Sequence, residues 1–348
     1  MNVFNPEHDL CMANGDANFV PPASALEFGR DCAGLVDWIV EPSDGKVTAW
    51  GWDSVLKKRL LKEGVPESML PPDDAVEEIR MLSRREMAVK ASVHVNDFLS
   101  GRVSPELLGK LRPLSSVRAV SDERDIVPTV DCFGDAVMKA PLSGSGKGLR
   151  WARSGGLSAS DLGWSRKVIA RQGGLMVEKR LGIVRDFAML FHIGQEKSDT
   201  PVSFEGYSLF FNDNGIYHGN VLASDSLIIS ELSNHVPESL LDNVKEALAS
   251  FFRQEFLGRY EGFAGVDMCI YRDAGGFMLA PCLEINVRMT MGLLARRIYD
   301  RHFSLPDGRF RMCVEYSPHP GDLYSHRSSF FAALTEINAS SRYAVVIE

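Results

Sequence analysis

The sequence has little sulfur chemistry, no long apolar run and no excess of positive charge. Its six cysteines form no C-x-x-C pair, which argues against zinc ribbons and dithiol redox motifs. We interpret them as reduced thiols of a cytosolic protein. No apolar stretch approaches the roughly 20 residues of a membrane-spanning helix. Residues 1–9 combine neither a basic start nor an apolar run, so we expect no secretory signal.

The charge balance excludes a further class of partner. The formal net charge is −8, so we expect no nucleic-acid-binding face, and we also expect no membrane partner. The 348 residues contain no internal repeat and no low-complexity tract. That length is sufficient for about two or three units that each bury a core. Small molecules are therefore the expected partners, and formation of a homodimer stays open.

Patterns of apolar residues divide the chain into three predicted parts. Residues 1–112 alternate strand-like and helix-like segments, which indicates an N-terminal α/β domain. A boundary lies near a stretch rich in proline and serine, residues 111–130, and residues 113–180 then contain a strand, a glycine-rich loop, a second strand, a helix and a third strand. In residues 181–348 the pattern predicts a run of strands, an amphipathic helix at 238–260 and a hairpin that turns near Asp273. We therefore predict a mixed α/β fold.

A glycine-rich loop follows the strand that carries Lys139. Glycines let a backbone approach a polyphosphate closely and point several N–H groups at it. A Walker A motif would need glycine in place of Pro141 and serine or threonine in place of Gly148. A dinucleotide-binding fingerprint would need glycine in place of Leu149, followed by a helix. Both patterns fail, which leaves a flexible loop between two antiparallel strands. The predicted phosphate contacts are Lys139, Ser143, Gly144, Ser145, Gly146, Lys147 and Gly148.

Three predicted oxygen ligands lie on the hairpin near the end of the third part. Asp267 is on its first strand, while Glu284 and Asn286 are two residues apart on its second strand and so share a face. Pairing of the strands can bring Asp267 opposite Glu284. Mg²⁺ prefers such hard oxygen ligands, and Mn²⁺ is the alternative ion. Arg288 shares the same face if the strand continues, and its guanidinium can clamp an anion through two hydrogen bonds.

These motifs together resemble the ATP-grasp family. A strand lysine, a glycine loop, an aspartate and then Glu-x-Asn-x-Arg occur in the family's order between residues 115 and 300. The resemblance implies an ATP-grasp fold preceded by a Rossmann-like N-terminal α/β domain. It also implies an adenine pocket at Glu178, Lys179 and Leu181. Asp186 takes the ribose position, where the family more often has glutamate.

Most members of that family use ATP to activate a carboxylate as an acyl phosphate, which an amine or similar nucleophile then attacks. The resemblance therefore implies a cytoplasmic carboxylate–amine ligase that depends on ATP and magnesium. In that scheme Lys139 and Lys147 neutralise the transferred phosphate, and Arg288 holds the acceptor. A small-molecule kinase and a non-catalytic nucleotide-binding module stay open as alternatives. Residues 5–9 either border the substrate cleft or form a polar turn.

Overall fold

A computed structural model describes residues 1–144, 148–213, 216–302 and 304–348. The strands are β1 (Asn2–Val3), β2 (Thr48–Ala49), β3 (Val117–Val120), β4 (Asp135–Lys139), β5 (Leu149–Arg153), β6 (Leu175–Lys179), β7 (Gly182–Ile193), β8 (Val202–Asp213), β9 (Ile216–Leu222), β10 (Gly262–Asp273), β11 (Gly276–Asn286), β12 (Phe310–Tyr316), β13 (Ala332–Ala333) and β14 (Tyr343–Ile347). The α-helices are α1 (His8–Asn14), α2 (Ala23–Asp31), α3 (Ser54–Lys62), α4 (Asp73–Leu82), α5 (Arg85–Leu99), α6 (Pro105–Leu108), α7 (Ile126–Phe133), α8 (Ala159–Gln172), α9 (Asp225–Leu232), α10 (Glu238–Glu255), α11 (Met291–Arg297) and α12 (Asp322–His326). Within these ranges, no helix is both long enough and apolar enough to cross a membrane.

The N-terminal unit is mostly helical. Its described residues form one parallel pair, β1 with β2, rather than the wider sheet that a Rossmann-like domain suggests. The buried side chain of Asn5 holds the ends of this pair together by donating to the carbonyl of Gly51 at 2.8 Å. The backbone N–H of Met289 donates to the carbonyl of Trp50 at 2.9 Å. The end of β2 is thus fixed to the segment that follows β11.

A four-stranded antiparallel sheet, in the order β3-β6-β4-β5, carries the glycine loop between β4 and β5. We call it the small sheet. Helix α8 begins with a capping box, because the Ser158 hydroxyl accepts from the Asp161 N–H while the Asp161 carboxylate accepts from the Ser158 N–H. Strand β3 and helix α7 lie in the stretch rich in proline and serine, where the sequence predicted only a boundary. The division at residues 112 and 180 stays a prediction.

An eight-stranded sheet, in the order β11-β10-β7-β8-β9-β12-β14-β13, forms the large sheet. Helix α10 covers one face through the apolar stripe that includes Val244, Leu248 and Phe252, all fully buried. Helix α11 and parts of the N-terminal unit cover the other face. The predicted hairpin is confirmed as β10 and β11, which pair antiparallel and turn between Asp273 and Gly276. Because β12 and β14 join this sheet, the C-terminal residues belong to it.

Candidate nucleotide and metal site

Asp267 and Glu284 face each other across the β10–β11 pair. The strand register places them directly opposite, so both side chains lie on one face of the large sheet. Asn286 donates from Nδ2 to Oδ2 of Asp267 at 3.0 Å, and its Oδ1 accepts from Arg288 Nη2 at 2.9 Å. The structure thus brings the three predicted metal ligands together. Asn286, however, presents its nitrogen rather than its oxygen to Asp267.

The charge of this carboxylate pair suits a divalent cation. Burial, and secondly Glu284, raise the pKa of Asp267 to about 7, although Asn286 and Arg288 oppose the shift. In the part of the chain that the structure describes, no group of three or more His, Cys, Asp or Glu side chains gathers in a metal-binding arrangement. Two hard oxygen donors nevertheless fit Mg²⁺ or Mn²⁺, and of the pair only Glu284 has a direct cationic partner among the described residues, Arg85. Rotation of the Asn286 amide would add its oxygen to this donor set.

Without metal, the protein is expected to lose stability as the pH rises from about 4 to about 7. Because the pKa of Asp267 rises on folding from 3.8 to about 7, the native state binds the extra proton. The resulting stability is fully present below about pH 4 and is lost as the pH rises through about 7. In thermal unfolding with a chelator, Asp267→Asn should melt a few degrees above wild type at about pH 8 but not at about pH 4. A melting difference that stays constant with pH would contradict this expectation.

Arg288 is bound to a carboxylate of the N-terminal unit. Strand β11 ends at Asn286, so the strand does not continue to Arg288. The guanidinium nevertheless reaches Asp9 of α1 through two hydrogen bonds, Nε to Oδ1 at 2.9 Å and Nη2 to Oδ2 at 2.7 Å. Burial alone would raise the pKa of Asp9, but the Arg288 charge lowers it overall. Residues 5–9 therefore border the site. Arg288, the predicted clamp for the acceptor, is already bound to Asp9 within the protein.

The described part of the glycine loop packs tightly against its surroundings. The N–H of Ala140 donates to the carbonyl of Gly148 at 2.9 Å and closes the base of the loop. A Cβ on Gly148 would lie 2.1 Å from the Cβ of Ser143, and one on Gly144 would lie 2.9 Å from the Cβ of Asp9. Both positions therefore require glycine for close packing. The predicted contacts Ser145, Gly146 and Lys147 lie outside the described residues.

Arg85 joins the loop to the carboxylate pair. This first residue of α5 is only 7% exposed. Its Nη2 lies 3.1 Å from both Glu284 Oε1 and the Ser143 hydroxyl, and its Nε donates to the carbonyl of Ala140 at 3.1 Å. A narrow cleft opens at this junction. Its polar lining is Asp9, Ser83, Ser143, Glu284 and Asn286. The sequence indicated no role for Arg85, because no local motif marks it.

Lys139 and Glu178 form a buried cluster with Arg112. Glu178 accepts from Lys139 Nζ at 2.9 Å and from Arg112 Nη1 at 2.9 Å. Burial alone would raise the pKa of Glu178, but these two cations lower it to about 2. Burial lowers the pKa of Lys139, although Glu178 opposes that effect. The predicted phosphate lysine and the predicted adenine residue are thus neighbours, and Glu178 stays ionised.

The remaining predicted nucleotide residues follow β6 toward the large sheet. Lys179 is exposed and lies 3.9 Å from Asp273. Leu181 packs against an apolar cluster that contains Cys269. Asp186 pairs with Cys269 across β7 and β10 and accepts from the side chain of an asparagine, Asn212, at 3.4 Å. Burial raises the pKa of Asp186. The predicted adenine and ribose residues thus lie on the segment from β6 to β7, and β7 pairs with β10, the strand that carries Asp267.

Comparison with known proteins supports a fold assignment. No protein-family model and no curated protein matches the sequence. An N5-carboxyaminoimidazole ribonucleotide synthetase solved with ADP is 14% identical, with a TM-score of 0.50 over 99% of this chain and 90% of that chain. The N5-carboxyaminoimidazole synthetase of Staphylococcus aureus with ADP is 13% identical, with a TM-score of 0.49 over 99% and 91% of the two chains. Biotin carboxylase of Campylobacter jejuni is 12% identical, with a TM-score of 0.49 over 87% and 70%. The first of these matches spans nearly all of both chains, and on that likeness this chain has the ATP-grasp fold.

Proposed function

We propose that this protein is an ATP- and magnesium-dependent ligase. It would activate a small-molecule carboxylate as an acyl phosphate for attack by an amine or a similar nucleophile. The observation that carries the proposal is the junction at Arg85, which touches the glycine loop through Ser143 and the carboxylate pair through Glu284. The start of a loop suited to phosphate, at Ser143, and one acid of the pair suited to magnesium, Glu284, therefore line one cleft. The similar synthetase was solved with ADP, which agrees with a nucleotide in this cleft.

The residues in and around the cleft would have separate roles that depend on their charge. Asp267 and Glu284, with Asn286, would hold magnesium, which supplies neutralisation of the nucleotide phosphates when it is bound. Lys139 lies at the end of β4, where the glycine loop begins, and adds a positive charge beside the phosphates. Arg85 adds a second cation between the loop and Glu284. Positioning and charge neutralisation of this kind supply most of the catalysis of phosphoryl transfer.

The acceptor would lie against Arg288. A bidentate guanidinium suits a carboxylate or an acyl phosphate, and Asp9 occupies that guanidinium in this structure. An acceptor carboxylate therefore either displaces Asp9 or uses donors that Asp9 leaves free. The Asp9 carboxylate lines the cleft, so it can also attract the ammonium group of an amino acid. Amino acids and small carboxylates are accordingly the first acceptors to test.

A turnover screen with chemical trapping tests the proposal. The intact chain is incubated with ATP, Mg²⁺ and a panel of amino acids and small carboxylates, with and without hydroxylamine. The release of ADP and phosphate is measured together with hydroxamate. We expect one class of acceptor to stimulate ADP release and to form a hydroxamate that depends on ATP. Omission of Mg²⁺ provides the control, because no hydroxamate should then form.

Two other outcomes would overturn the ligase proposal. A stable phosphorylated product without hydroxamate would assign the protein as a kinase on the same scaffold. Tight ATP binding with no ADP release, whether an acceptor, a nucleophile or only water is present, would favour a nucleotide-binding module. The two outcomes are separated by measuring ADP release and ATP affinity on the same preparation.

A further inference from the structure

The small sheet has one face in its own core, and its other face carries Glu178, which lies near Cys282 and Leu283 of the large sheet. Side chains alternate between the two faces of a strand. Ala136 and Met138 of β4 and Val177 of β6 lie in the core beneath α7 and α8. Lys139 of β4 and Glu178 of β6 alternate with them and therefore lie on the opposite face. Their mutual contact at 2.9 Å confirms that they share this face.

Trp151 of β5 lies on the same face as Lys139 and Glu178. It pairs directly with Val137 of β4, and Val137 pairs directly with Glu178 of β6. Paired residues of adjacent strands point to the same side of a sheet. The strands are about 4.8 Å apart, so Trp151 stands roughly 10 Å from Glu178, at the outer edge of the sheet. The motifs of the sequence assign no role to this tryptophan.

The indole is unusually open for a tryptophan on a packed sheet. Trp151 is 57% exposed, the largest exposed fraction among the aromatic residues that the structure describes. The guanidinium of Arg180 lies 5.1 Å from its ring centroid, within reach of a cation–π contact. Arg180 directly follows β6, in the segment that leads to the large sheet. One cation from that segment thus contacts an exposed aromatic ring at the edge of the small sheet.

An apolar surface lies on the large-sheet side of the same segment. Leu181, next to Arg180, packs with Leu283 and Met278 against buried residues of β10 and β11. Asp186 stands beside this cluster through its pairing with Cys269. A planar base that enters between the sheets therefore meets an apolar surface from the large sheet. From the small sheet it would meet the exposed indole, because Val137, between Glu178 and Trp151, is buried.

We propose that Trp151 forms the outer wall of the base pocket and stacks on the purine of the bound nucleotide, with Arg180 holding the indole in place. The inference rests on the proposed nucleotide site and adds a determinant of base selectivity to it. A base stacked on an aromatic side chain contributes a factor of about 5 to 100 in affinity, and an edge position favours the lower end. An exposed Trp–Arg pair can also shield an edge strand from other chains. If the pair only shields the edge strand, the affinity for a ligand should not depend on whether that ligand carries a base.

Calorimetric titration of the intact chain with Mg–ADP and with magnesium pyrophosphate, which has no base, tests the inference. Trp151→Ala should weaken ADP binding by about 5- to 20-fold and leave pyrophosphate binding unchanged. Trp151→Phe keeps an aromatic face and should stay within about threefold of wild type. ADP should quench tryptophan fluorescence in wild type, and that quench should be lost in Trp151→Phe.

Trp164 offers a matched control. It lies on α8 against the buried core of the small sheet, with Arg150 5.8 Å from its ring centroid. Trp164→Phe should keep both the ADP affinity and the quench. The inference is overturned if Trp151→Ala binds ADP as wild type does, if it loses affinity for pyrophosphate by the same factor, or if the quench persists in Trp151→Phe. Absence of ADP binding by wild type would instead overturn the nucleotide site itself, and this inference with it.

Discussion

Glu284→Gln is expected to lower magnesium-dependent ATP turnover by about 100- to 1000-fold, because charge stabilisation by a bound metal is worth several kcal/mol in the transition state. The substitution keeps the size of the side chain and still offers an oxygen to Arg85, which lies 3.1 Å from Glu284. It removes one of the two negative charges that face each other at Asp267. The measurement is ADP release with the best acceptor of the screen across a magnesium titration, and saturation should move to higher magnesium.

Glu205→Gln is the matched control for that experiment. Glu205 lies on β8, is 16% exposed where Glu284 is 29% exposed, and also pairs with an arginine, Arg297. It is not among the residues that line the cleft. The control loses a comparable ion pair, so turnover should stay within about threefold of wild type. Retained activity in Glu284→Gln would contradict the metal assignment, and an equal loss in both variants would indicate a structural effect.

Lys139→Met is expected to weaken Mg–ADP binding by about 10- to 100-fold, because a hydrogen bond to a charged group contributes about 1.5–3 kcal/mol. Lys139 is the last residue of β4, where the glycine loop begins. The methionine fills a similar volume, and Arg112 still pairs with Glu178 at 2.9 Å. The fold should therefore persist. Calorimetry measures the affinity, and thermal unfolding checks the integrity of the small sheet.

Lys57→Met provides the comparison for the lysine variant. Lys57 of α3 is also buried and pairs with Asp73 at 2.5 Å, in the N-terminal unit. Its loss should lower the melting temperature without changing the affinity for ADP. If Lys139→Met binds ADP as tightly as Lys57→Met does, Lys139 is a structural lysine and its phosphate role is wrong.

Local patterns were sufficient to predict the elements that carry the site. The period of a strand and the turn at Asp273 predict that Asp267 and Glu284 share a face, and both signals lie within about 20 residues. Their direct pairing also depends on a register shift between Asp267 and Cys269, which the sequence did not indicate. The glycine loop between β4 and β5 is equally local. The stripe of α10, with Val244 and Phe252, has the period of a helix, and the structure buries it. Each of these signals is a spacing within one element or between two neighbours.

The contacts that complete the site join distant segments. Asp9 and Arg288 are 279 residues apart, and Arg85 reaches Glu284 from a helix with no motif at its start. Arg112 reaches Glu178 from the linker between predicted parts. An arginine with a buried partner has the same local pattern as an exposed one, because the pairing energy arises only in the folded chain. The orientation of the Asn286 amide likewise depends on Arg288.

The order of strands in the large sheet has a consequence for biosynthesis. Strand β7 pairs with β10, and residues 194–261 separate the two strands along the chain. At about 5–20 residues per second, translation of that separation takes roughly 3–14 s. During this interval the edge of β7, with Phe187, Leu190 and Phe191, awaits its partner. Neighbouring nascent chains on one messenger can pair at this edge, so the yield of correctly folded protein should rise when a chaperone is supplied and fall when elongation is slowed.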